Sequence, residues 1–400
     1  MLNKTNLENS LLLAAVKPSA ASNVGALMAD CADVIDWSVM VETALAHHVT
    51  GILCKVLLDV SATAVPETIK QACRQKLEQQ RSTNEAATQQ LTQLLTKLEA
   101  KGIEAVPFKG LTLTMSAYRD ISLRSFRDLD FMIHREHFDA CLVELCELGY
   151  QHSSDLSPKQ WQAFINNAGQ DILFGKELAI EPHWAFAPKT LAFDIDYNKL
   201  WERVSTTSLN GKTILAFSPE DELLILCMHG SKHEWRKLKW IVDLSLFIQN
   251  HDHLNWCDII NRAETQGLSR IIIFALAIAS RLVGATVPFS VLEWMEKDTF
   301  AIRKSNGLAD NYFDISRGEE PSIHKVCYFH WSMRERHRDK LRYFFRTITR
   351  PRVQHFVDIA IPDHFFFLYF PYKLFHDYFA LPVWLFFKAL RNALRRLWAV

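Results

Sequence analysis

Helical periodicity runs through most of this chain, and the stretch that interrupts it constrains the fold more than any other feature. Residues 1–101 and 218–350 carry apolar side chains at the three- and four-residue spacing of amphipathic helices. Residues 102–217 instead hold short alternating runs and turn residues, which are typical of strands. We therefore predict an N-terminal helical region (1–101), an α/β core (102–217), a helical domain (218–350) and an aromatic and basic C-terminal segment (351–400).

The core has a readable order of elements. Residues 103–108 are predicted as a strand, and Gly110 then opens a helix that runs to about Tyr118. Residues 128–133 alternate polar and apolar as a half-buried strand does, and residues 134–148 form an amphipathic helix that Gly149 ends. Residues 171–174 and 178–184 are two more strands that could pair as a hairpin. This order predicts an α+β fold, with a small sheet flanked by N- and C-terminal helical regions.

Two acids on the second predicted strand are the first candidate site residues. Asp128 and Asp130 lie two residues apart, so their carboxylates project from one face of the strand, about 7 Å apart. Two neighbouring anions repel each other, but the pair is suited to a divalent cation, because Mg²⁺ prefers oxygen ligands. The alternative is a solvated strand edge, since two acids at this spacing are common.

Cations and a glycine lie close to these acids in the sequence. Lys109 and Gly110 stand between a strand and a helix N-terminus, where backbone N–H groups favour phosphate. Arg124 and Arg127 precede Asp128 in the intervening loop. Cations for a polyphosphate and anions for its metals are the parts that phosphoryl or nucleotidyl transfer needs.

A third acid follows on a later strand. Glu181 could deprotonate or orient an attacking hydroxyl, or serve as a further metal ligand. The equally weighted alternative is a surface residue on an edge strand, which the following Pro182 favours.

A helix that starts at Ser218, with Pro219 at its first position, carries a further polar group. His229 and His233 lie at i and i+4, a spacing that lines one helix face and can also chelate zinc. Our preferred interpretation is that they line the nucleotide site together with Lys232; a structural pair and a zinc site are the alternatives. The basic cluster of Lys232, Arg236, Lys237 and Lys239 could contact triphosphate or an anionic acceptor, or be a solvated helix face.

Several of these motifs together resemble a known family. The runs Phe108-Lys109-Gly110, Arg124…Asp128-Leu129-Asp130-Phe131, Glu181-Pro182-His183-Trp184 and residues 229–238 are similar to those of the uncharacterised bacterial nucleotidyltransferase family, in the DNA polymerase beta-like superfamily. The resemblance spans most of the chain. It departs at Lys109-Gly110-Leu111, where the superfamily has Gly-Ser or Gly-Gly, and in having Glu as the third acid.

The resemblance implies a nucleotidyltransferase-type mixed sheet and roles for individual residues. Lys109 and Gly110 would hold the triphosphate, Asp128 and Asp130 would bind Mg²⁺ or Mn²⁺, and Glu181 would be the third acid. The implied activity is transfer of an NMP from an NTP to an unidentified acceptor, which could be a small molecule, a saccharide, a protein or RNA. The alternatives are a non-catalytic nucleotide-binding or scaffold protein of surface-polysaccharide assembly, and a toxin-like nucleotidyltransferase that acts on tRNA or protein.

The C-terminal segment differs from the rest in charge and in aromatic content. Residues 321–400 hold 14 basic and 5 acidic side chains, although the whole chain is balanced at 45 of each. Apolar residues at helical spacing, namely Val383, Phe387, Leu390, Leu394 and Trp398, lie beside Lys388, Arg391, Arg395 and Arg396. This pattern is consistent with peripheral membrane contact, and a helix packed on the protein or on a second subunit is the favoured alternative.

The cysteines indicate the cellular compartment. Eight of them are scattered singly through apolar helical patterns without C-x-x-C spacing, at positions 31, 54, 73, 141, 146, 227, 257 and 327. Such cysteines are typical of reduced, buried thiols. We therefore predict a cytoplasmic protein, with peripheral attachment to the inner face of the membrane as the alternative.

Overall fold

The computed structural model describes residues 4–18, 20–29, 34–60, 65–152, 155–175, 178–317, 321–380, 383–384 and 391. Helices precede the first strand, as the periodicity predicts. They are α1 (Lys4–Ala15), α2 (Ala20–Ala29), α3 (Trp37–Ala46), α4 (Thr50–Asp59) and the long α5 (Glu67–Ala100).

The core is a mixed sheet of five described strands. They are β1 (Ala105–Pro107), β2 (Asp128–Ile133), β3 (Gln151–His152), β4 (Leu173–Phe174) and β5 (Ala179–His183). The strand order is β1-β2-β5-β4-β3, and β2 and β5 are parallel whereas the other neighbours are antiparallel. The predicted hairpin is confirmed, since Leu173 on β4 pairs with Ile180 on β5. The α+β prediction is therefore confirmed.

Short helices connect these strands. Between β1 and β2 lie α6 (Gly110–Leu113) and a π-helical turn (Thr114–Tyr118), which together make the predicted helix after Gly110. The helix predicted after β2 consists of a 3-10 turn (Arg135–His137) and α7 (Phe138–Glu147), and Gly149 follows it with a φ of 89°. A capping box at Ser157 begins α8 (Pro158–Asn167).

A second hairpin was not predicted. After β5 come a 3-10 turn (Lys189–Leu191) and α9 (Tyr197–Glu202), and then β6 (Ser205–Leu209) pairs with β7 (Lys212–Ala216). The intervening Asn210-Gly211 is the strongest short hairpin signal, because both residues accept the positive φ that a tight turn requires.

Helices make up the rest of the described chain. They are α10 (Pro219–Lys232), α11 (Leu238–Asn250), α12 (Trp256–Gln266), α13 (Ser269–Val283), α14 (Phe289–Met295), α15 (Thr299–Asp310), α16 (Tyr312–Arg317), α17 (Ile323–Ser332), α18 (His337–Thr349), α19 (Val353–Asp358) and α20 (Tyr369–Phe375), with a 3-10 turn (Asp363–Leu368) before α20 and a π-helical turn (His376–Ala380) after it. The predicted start of α10 is confirmed, because the Ser218 side chain accepts a hydrogen bond from the Asp221 N–H and Pro219 stands at the first position.

The two faces of β2 belong to different parts of the interior. Leu129, Phe131 and Ile133 pack with α5 and α7 in one buried cluster. Met132, which shares its face with Asp128 and Asp130, packs in a second cluster that the N-terminal helices share with α10, α11 and α13. The sheet thus turns its acidic face toward the helical part of the protein. The division into four domains stays a prediction.

The apolar C-terminal pattern falls largely outside the described residues. Of the predicted stripe, Val383 is described and is exposed, whereas positions 387, 390, 394 and 398 lie outside the described part. Cys31 lies outside it as well. Among the described residues, no helix is long and apolar enough to cross a membrane.

Candidate active site

The register between β2 and β5 brings the predicted acids together. Asp130 pairs with Glu181, and Asp128 pairs with Ala179, because the two strands run in parallel. In parallel neighbours, paired residues project from the same face of the sheet, so Glu181 joins the face that holds both aspartates. His183, two residues after Glu181, lies on this face as well. Ligand atoms of Asp130, Glu181 and His183 lie within 4.8 Å of one another.

Asp130 is the buried centre of this group. Its Oδ1 accepts hydrogen bonds from Lys109 Nζ at 2.7 Å and lies 2.8 Å from His183 Nε2. Burial alone would raise the pKa of Asp130, but the Lys109 ammonium and the His183 imidazole outweigh it and hold this pKa below its usual range. Asp130 is therefore an anion throughout the physiological pH range.

Asp128 is in a different electrostatic environment. Burial, and then the charges of Asp130 and Glu181, raise its pKa to about 6. A carboxylate with this pKa is held among like charges that its neighbours do not fully compensate. The raised pKa marks Asp128 as a partly buried carboxylate beside two like charges, which a bound cation would stabilise, although Lys109, Lys232 and Lys239 also line the cavity.

Lys109 adopts a strained backbone at the start of α6. Its φ is 57° and its ψ is −139°, although it is not a glycine. Such a conformation costs about 1–3 kcal/mol and is characteristic of functional sites. It occurs where the buried Lys109 Nζ contacts Asp130 and lies 4.8 Å from the centre of the Phe108 ring. Lys109 is thus fixed beside the acids by both its backbone and its side chain.

A hydrogen-bonded chain links Glu181 to α10. Gln170 donates from Nε2 to Glu181 Oε2 at 2.7 Å, and its Oε1 accepts from Lys232 Nζ, also at 2.7 Å. Burial and the nearby Lys109 charge lower the pKa of Lys232 to about 8. Gln170 therefore fixes both the third acid and a second lysine of the site.

The histidines of α10 line the same space as neutral rings. Burial and the surrounding lysines lower the pKa of His233 to about 3, and that of His229 falls well below its usual value. The His233 ring stacks on Trp240, with ring centres 4.7 Å apart. Within the described chain, the pair belongs to no group of three or more metal-ligating side chains. This placement favours a role in lining the site over zinc binding.

These residues enclose a cavity of about 320 Å³, within the range of small-ligand sites. Its walls combine acids, lysines, imidazoles and a few apolar side chains, namely Lys109, Gly110, Arg124, Phe126, Asp128, Asp130, Gln170, Ile172, Glu181, His229, Lys232, His233, Lys239 and Trp240. Most of the predicted site residues therefore meet in one cleft.

Arg124 and Arg127, the two arginines predicted to bind phosphate, differ in their positions relative to the cavity. Arg124 borders the cavity, but its guanidinium donates to both carboxylate oxygens of Asp243, at 2.8 and 2.9 Å, and to the Gly110 carbonyl at 3.1 Å. Arg124 thus contributes to the site by holding Gly110, the first residue of α6, in position. Arg127 is exposed and does not line the cavity.

Several residues of the site had no role predicted from the sequence. His183 follows Glu181 at the alternate position of the same strand, which is a local signal that could have found it. Gln170 and Trp240 carry no such signal, because their place in the site depends on contacts between distant segments. Lys239 belongs to the basic cluster that could contact triphosphate or an anionic acceptor, and it lines the cavity as Lys232 does.

The donor set fits a divalent cation. Carboxylate oxygens are the hard ligands that Mg²⁺ and Mn²⁺ prefer, and those of Asp130 and Glu181 lie within 4.8 Å of each other and of His183. Asp128 lines the same cavity but lies outside this group. The described chain has a second group of possible ligands, His355, His376 and Asp377. That group has one carboxylate, which already accepts from Lys373 Nζ at 2.7 Å and Arg352 Nη2 at 2.8 Å, whereas the group in the cavity has two carboxylates.

Gly230 allows α10 to end against a buried tryptophan, and its replacement provides a test of this packing. A Cβ on Gly230 would lie 2.5 Å from the Trp235 ring, which is fully buried. We expect Gly230→Ala to lower the free energy of unfolding by about 1–3 kcal/mol, as overpacking does. Urea denaturation measures this change. Gly307→Ala is the matched control, since no atom lies within 4 Å of its Cβ and alanine favours a helix; equal effects of the two substitutions would contradict the packing described.

Comparison with known proteins identifies the family of this chain. The model of a family described as "Uncharacterised nucleotidyltransferase" matches residues 33–284, more than half of the chain. An antigenic nucleotidyltransferase-like protein from Paracoccidioides brasiliensis, of known crystal structure, is 16% identical, with 46% of this chain and 91% of that chain covered at a TM-score of 0.27. None of the curated proteins compared with the chain matches it.

Proposed function

Because this chain belongs to the uncharacterised nucleotidyltransferase family, we propose that it transfers an NMP from an NTP to an acceptor hydroxyl, with release of pyrophosphate. The acceptor oxygen forms a bond to the α-phosphorus, and the bond from that phosphorus to the oxygen bridging to the β-phosphate breaks. The observation that supports this most directly is the pairing of Asp130 with Glu181 in a cavity that Lys109, Lys232 and Lys239 also line.

Asp128, Asp130 and Glu181 are the residues that would hold Mg²⁺ or Mn²⁺. Bound there, a divalent cation would neutralise charge on the phosphates and help to align the attacking and leaving oxygens. In its absence, Lys109 and His183 compensate the charge of Asp130. This explains how three acids are tolerated within one small cleft.

Glu181 is proposed as the base that receives the acceptor's proton, or as a further metal ligand. Its Oε2 accepts from Gln170, which itself accepts from Lys232, so the carboxylate is held in one orientation. A fixed base gives in-line transfer the alignment on which its rate largely depends.

The lysines of the cavity are proposed to bind the triphosphate. Lys109, Lys232 and Lys239 come from three different parts of the chain and converge on one cleft. His229 and His233 contribute as neutral rings, because burial and neighbouring cations lower the pKa of each. Their contacts to the nucleotide are therefore hydrogen bonds or ring stacking. Arg124 contributes indirectly, through the Gly110 carbonyl and Asp243.

Pyrophosphate release tests the proposal against the non-catalytic alternative. The protein is incubated with each NTP in turn, Mg²⁺ or Mn²⁺, and a cell extract that supplies acceptors, and pyrophosphate is measured with a coupled enzyme assay. We expect release that Asp128→Ala and Asp130→Ala both abolish. Nucleotide binding without any release, in every combination, would favour the scaffold alternative.

The pKa of Lys232 predicts how nucleotide affinity depends on pH. The side chain is a cation below about pH 8 and becomes neutral above it, because burial and Lys109 lower this pKa. We expect the affinity for NTP to fall by about tenfold between pH 7 and pH 9.5, since a hydrogen bond from a charged group contributes about 1.5–3 kcal/mol. Calorimetric titration with a non-hydrolysable NTP measures the change.

The control for this prediction keeps the charge at the same position. Lys232→Arg stays cationic over the whole range, so its affinity is expected to vary less with pH. Lys199→Arg, at an exposed position of α9, is expected to reproduce the wild-type profile. The same decline in Lys232→Arg as in the wild type would contradict the assignment.

A further inference from the structure

A second and larger cavity lies among the C-terminal helices. It has a volume of about 600 Å³ and is bounded by α17, α18, α20 and the 3-10 turn at Lys189–Leu191. Its walls are mainly apolar, with Leu191, Val326, Trp331, Phe344 and Ile348 among them. It shares no lining residue with the candidate active site. Its size is within the ~300–1,000 Å³ of small-molecule sites.

Arginines recur every four residues along α18 and just beyond it, at positions 338, 342, 346 and 350. The two nearer the start of α18 have partners of a different kind from the two nearer its end. Arg338 and Arg342 each pair with Asp194, and Arg342 Nη1 also lies 3.4 Å from Asp339. Arg346 instead donates to the Lys189 carbonyl at 2.9 Å, and Arg350 donates to Asn167 Oδ1. Among the described residues, only the first two arginines therefore form ion pairs with acids, and Asp339 and Asp194 act on Arg346 at longer range.

The charged side chains that line the cavity carry a net positive charge. Arg350, Arg352 and Lys373 line it, and they face one acid, Asp377, which accepts from both Arg352 and Lys373. Asp377 also lies 3.1 Å from His355 Nε2. Arg350 also lies close enough to Lys189 to affect its charge. The pKa of Lys189 is lowered first by burial, then by Arg135 and then by Arg350. An apolar space thus ends at uncompensated positive charge.

The chain's own C-terminal segment does not supply the missing charge. Residues 381–400 contain Lys388, Arg391, Arg395 and Arg396 and no acidic side chain. A second basic segment beside Arg350 would add to the repulsion, whereas an anion would relieve it. The charge complement of this cavity is therefore an anionic molecule.

We propose that this cavity binds an amphiphile with one apolar chain and an anionic head group, such as an alkyl phosphate. The chain lies among Val326, Phe344 and Ile348, and the head lies at Arg350, which lines the cavity. Arg346, four residues earlier on α18, does not line the cavity and adds its positive charge from outside. Burial of the chain provides affinity through the apolar area removed from water, and the arginines provide selection for the anionic head. This inference is independent of the proposed nucleotidyl transfer.

Decyl phosphate below its micellar concentration is the probe, and its binding is measured by calorimetric titration of the full chain. Decanol has the same chain without the charge. We expect the wild-type protein to bind decyl phosphate more tightly than decanol. The double variant Arg346→Gln/Arg350→Gln is expected to lose affinity for decyl phosphate by about tenfold or more and to keep its affinity for decanol. Arg338→Gln is the matched control, because this arginine already pairs with Asp194.

Substitutions that fill the cavity test whether the alkyl chain of the probe binds there. Val326→Phe and, separately, Ile348→Phe are expected to weaken binding of both probes, and thermal melting identifies which variants remain folded. The proposal is overturned if the wild type binds no decyl phosphate, or if the double variant binds it as the wild type does. It is also overturned if folded cavity-filling variants bind normally, or if the protein binds only to anionic phosphatidylglycerol vesicles and not to the monomeric probe.

Discussion

Asp128→Asn is expected to abolish nucleotidyl transfer while making the protein more stable at pH 8. A metal-ligating carboxylate contributes several kcal/mol of charge stabilisation through the cation that it holds. Its loss should lower the rate by about 10³-fold or more, since 1.36 kcal/mol corresponds to a factor of ten. Pyrophosphate release by the purified variant, with the wild-type protein alongside, measures the loss.

The gain in stability follows from the pKa of the same carboxyl group. In the folded protein this pKa is about 6, against an ordinary value of 3.8, mainly because of burial and then of Asp130 and Glu181. The folded state therefore binds the proton more tightly, and the resulting stability is lost as the pH rises from about 4 through about 6. Asparagine carries no charge, so it avoids this loss. We expect Asp128→Asn to unfold with a free energy about 1–3 kcal/mol higher than the wild type at pH 8 without metal.

Urea denaturation at pH 4 and pH 8, in the presence of a chelator, measures this difference. The advantage of Asp128→Asn should be largest at pH 8 and should shrink at pH 4, where the wild-type carboxyl is protonated. Asp252→Asn, at a surface position with the side chain 81% exposed, is the control and should change neither stability nor activity. A variant that is both active and no more stable than the wild type would contradict the placement of Asp128.

Asp243→Ala is expected to destabilise the protein by about 3–5 kcal/mol, because it leaves a buried guanidinium without its partner. The Arg124 and Asp243 side chains are 6% and 2% exposed, and the Tyr118 hydroxyl also donates to Asp243 at 2.6 Å. Burial alone would lower the pKa of Arg124, but Asp243 outweighs it and raises this pKa. A guanidinium group keeps its proton in proteins, so Arg124 stays charged in the variant, at a buried position without the Asp243 carboxylate.

Two comparisons separate this loss from a general effect of substitution. Asp59→Ala breaks the pair of Lys55 with Asp59, whose side chains are 50% and 47% exposed, and should change stability by less than about 1 kcal/mol. The double variant Arg124→Met/Asp243→Leu removes both charges and should cost less than Asp243→Ala alone. Urea denaturation gives all three values. An effect of Asp243→Ala no larger than that of Asp59→Ala would contradict the account.

Much of the core could be predicted because its signals are local. The alternation of β2, the glycine that ends the helix after it and the Ser218-Pro219 start of α10 each depend on a few neighbouring residues. The apolar run that begins at Ile271 forms the buried middle of α13, within the part of the chain predicted to be helical. The β6–β7 hairpin was missed although Asn210-Gly211 gave a local signal for it.

The site was less predictable, because its geometry depends on contacts between distant segments. That Asp130 pairs with Glu181 depends on the register of two strands more than 40 residues apart in sequence, which no local pattern fixes. Asp243, the partner of Arg124, lies on α11. The loop sequence around Arg124 therefore does not indicate that this arginine positions Gly110. Gln170 and Trp240 join the cavity for the same reason.

The most direct test of the central claim follows the label from two positions of the nucleotide. The preferred NTP is supplied with the label on either its α- or its γ-phosphate, together with Mg²⁺, a cell extract, and wild-type protein or Asp130→Asn. We expect α-label to enter an acceptor product that the extract alone does not form, γ-label to leave in pyrophosphate, and Asp130→Asn to form none of this product. Entry of γ-label into the product, or α-labelled product at the wild-type level with Asp130→Asn, would contradict it.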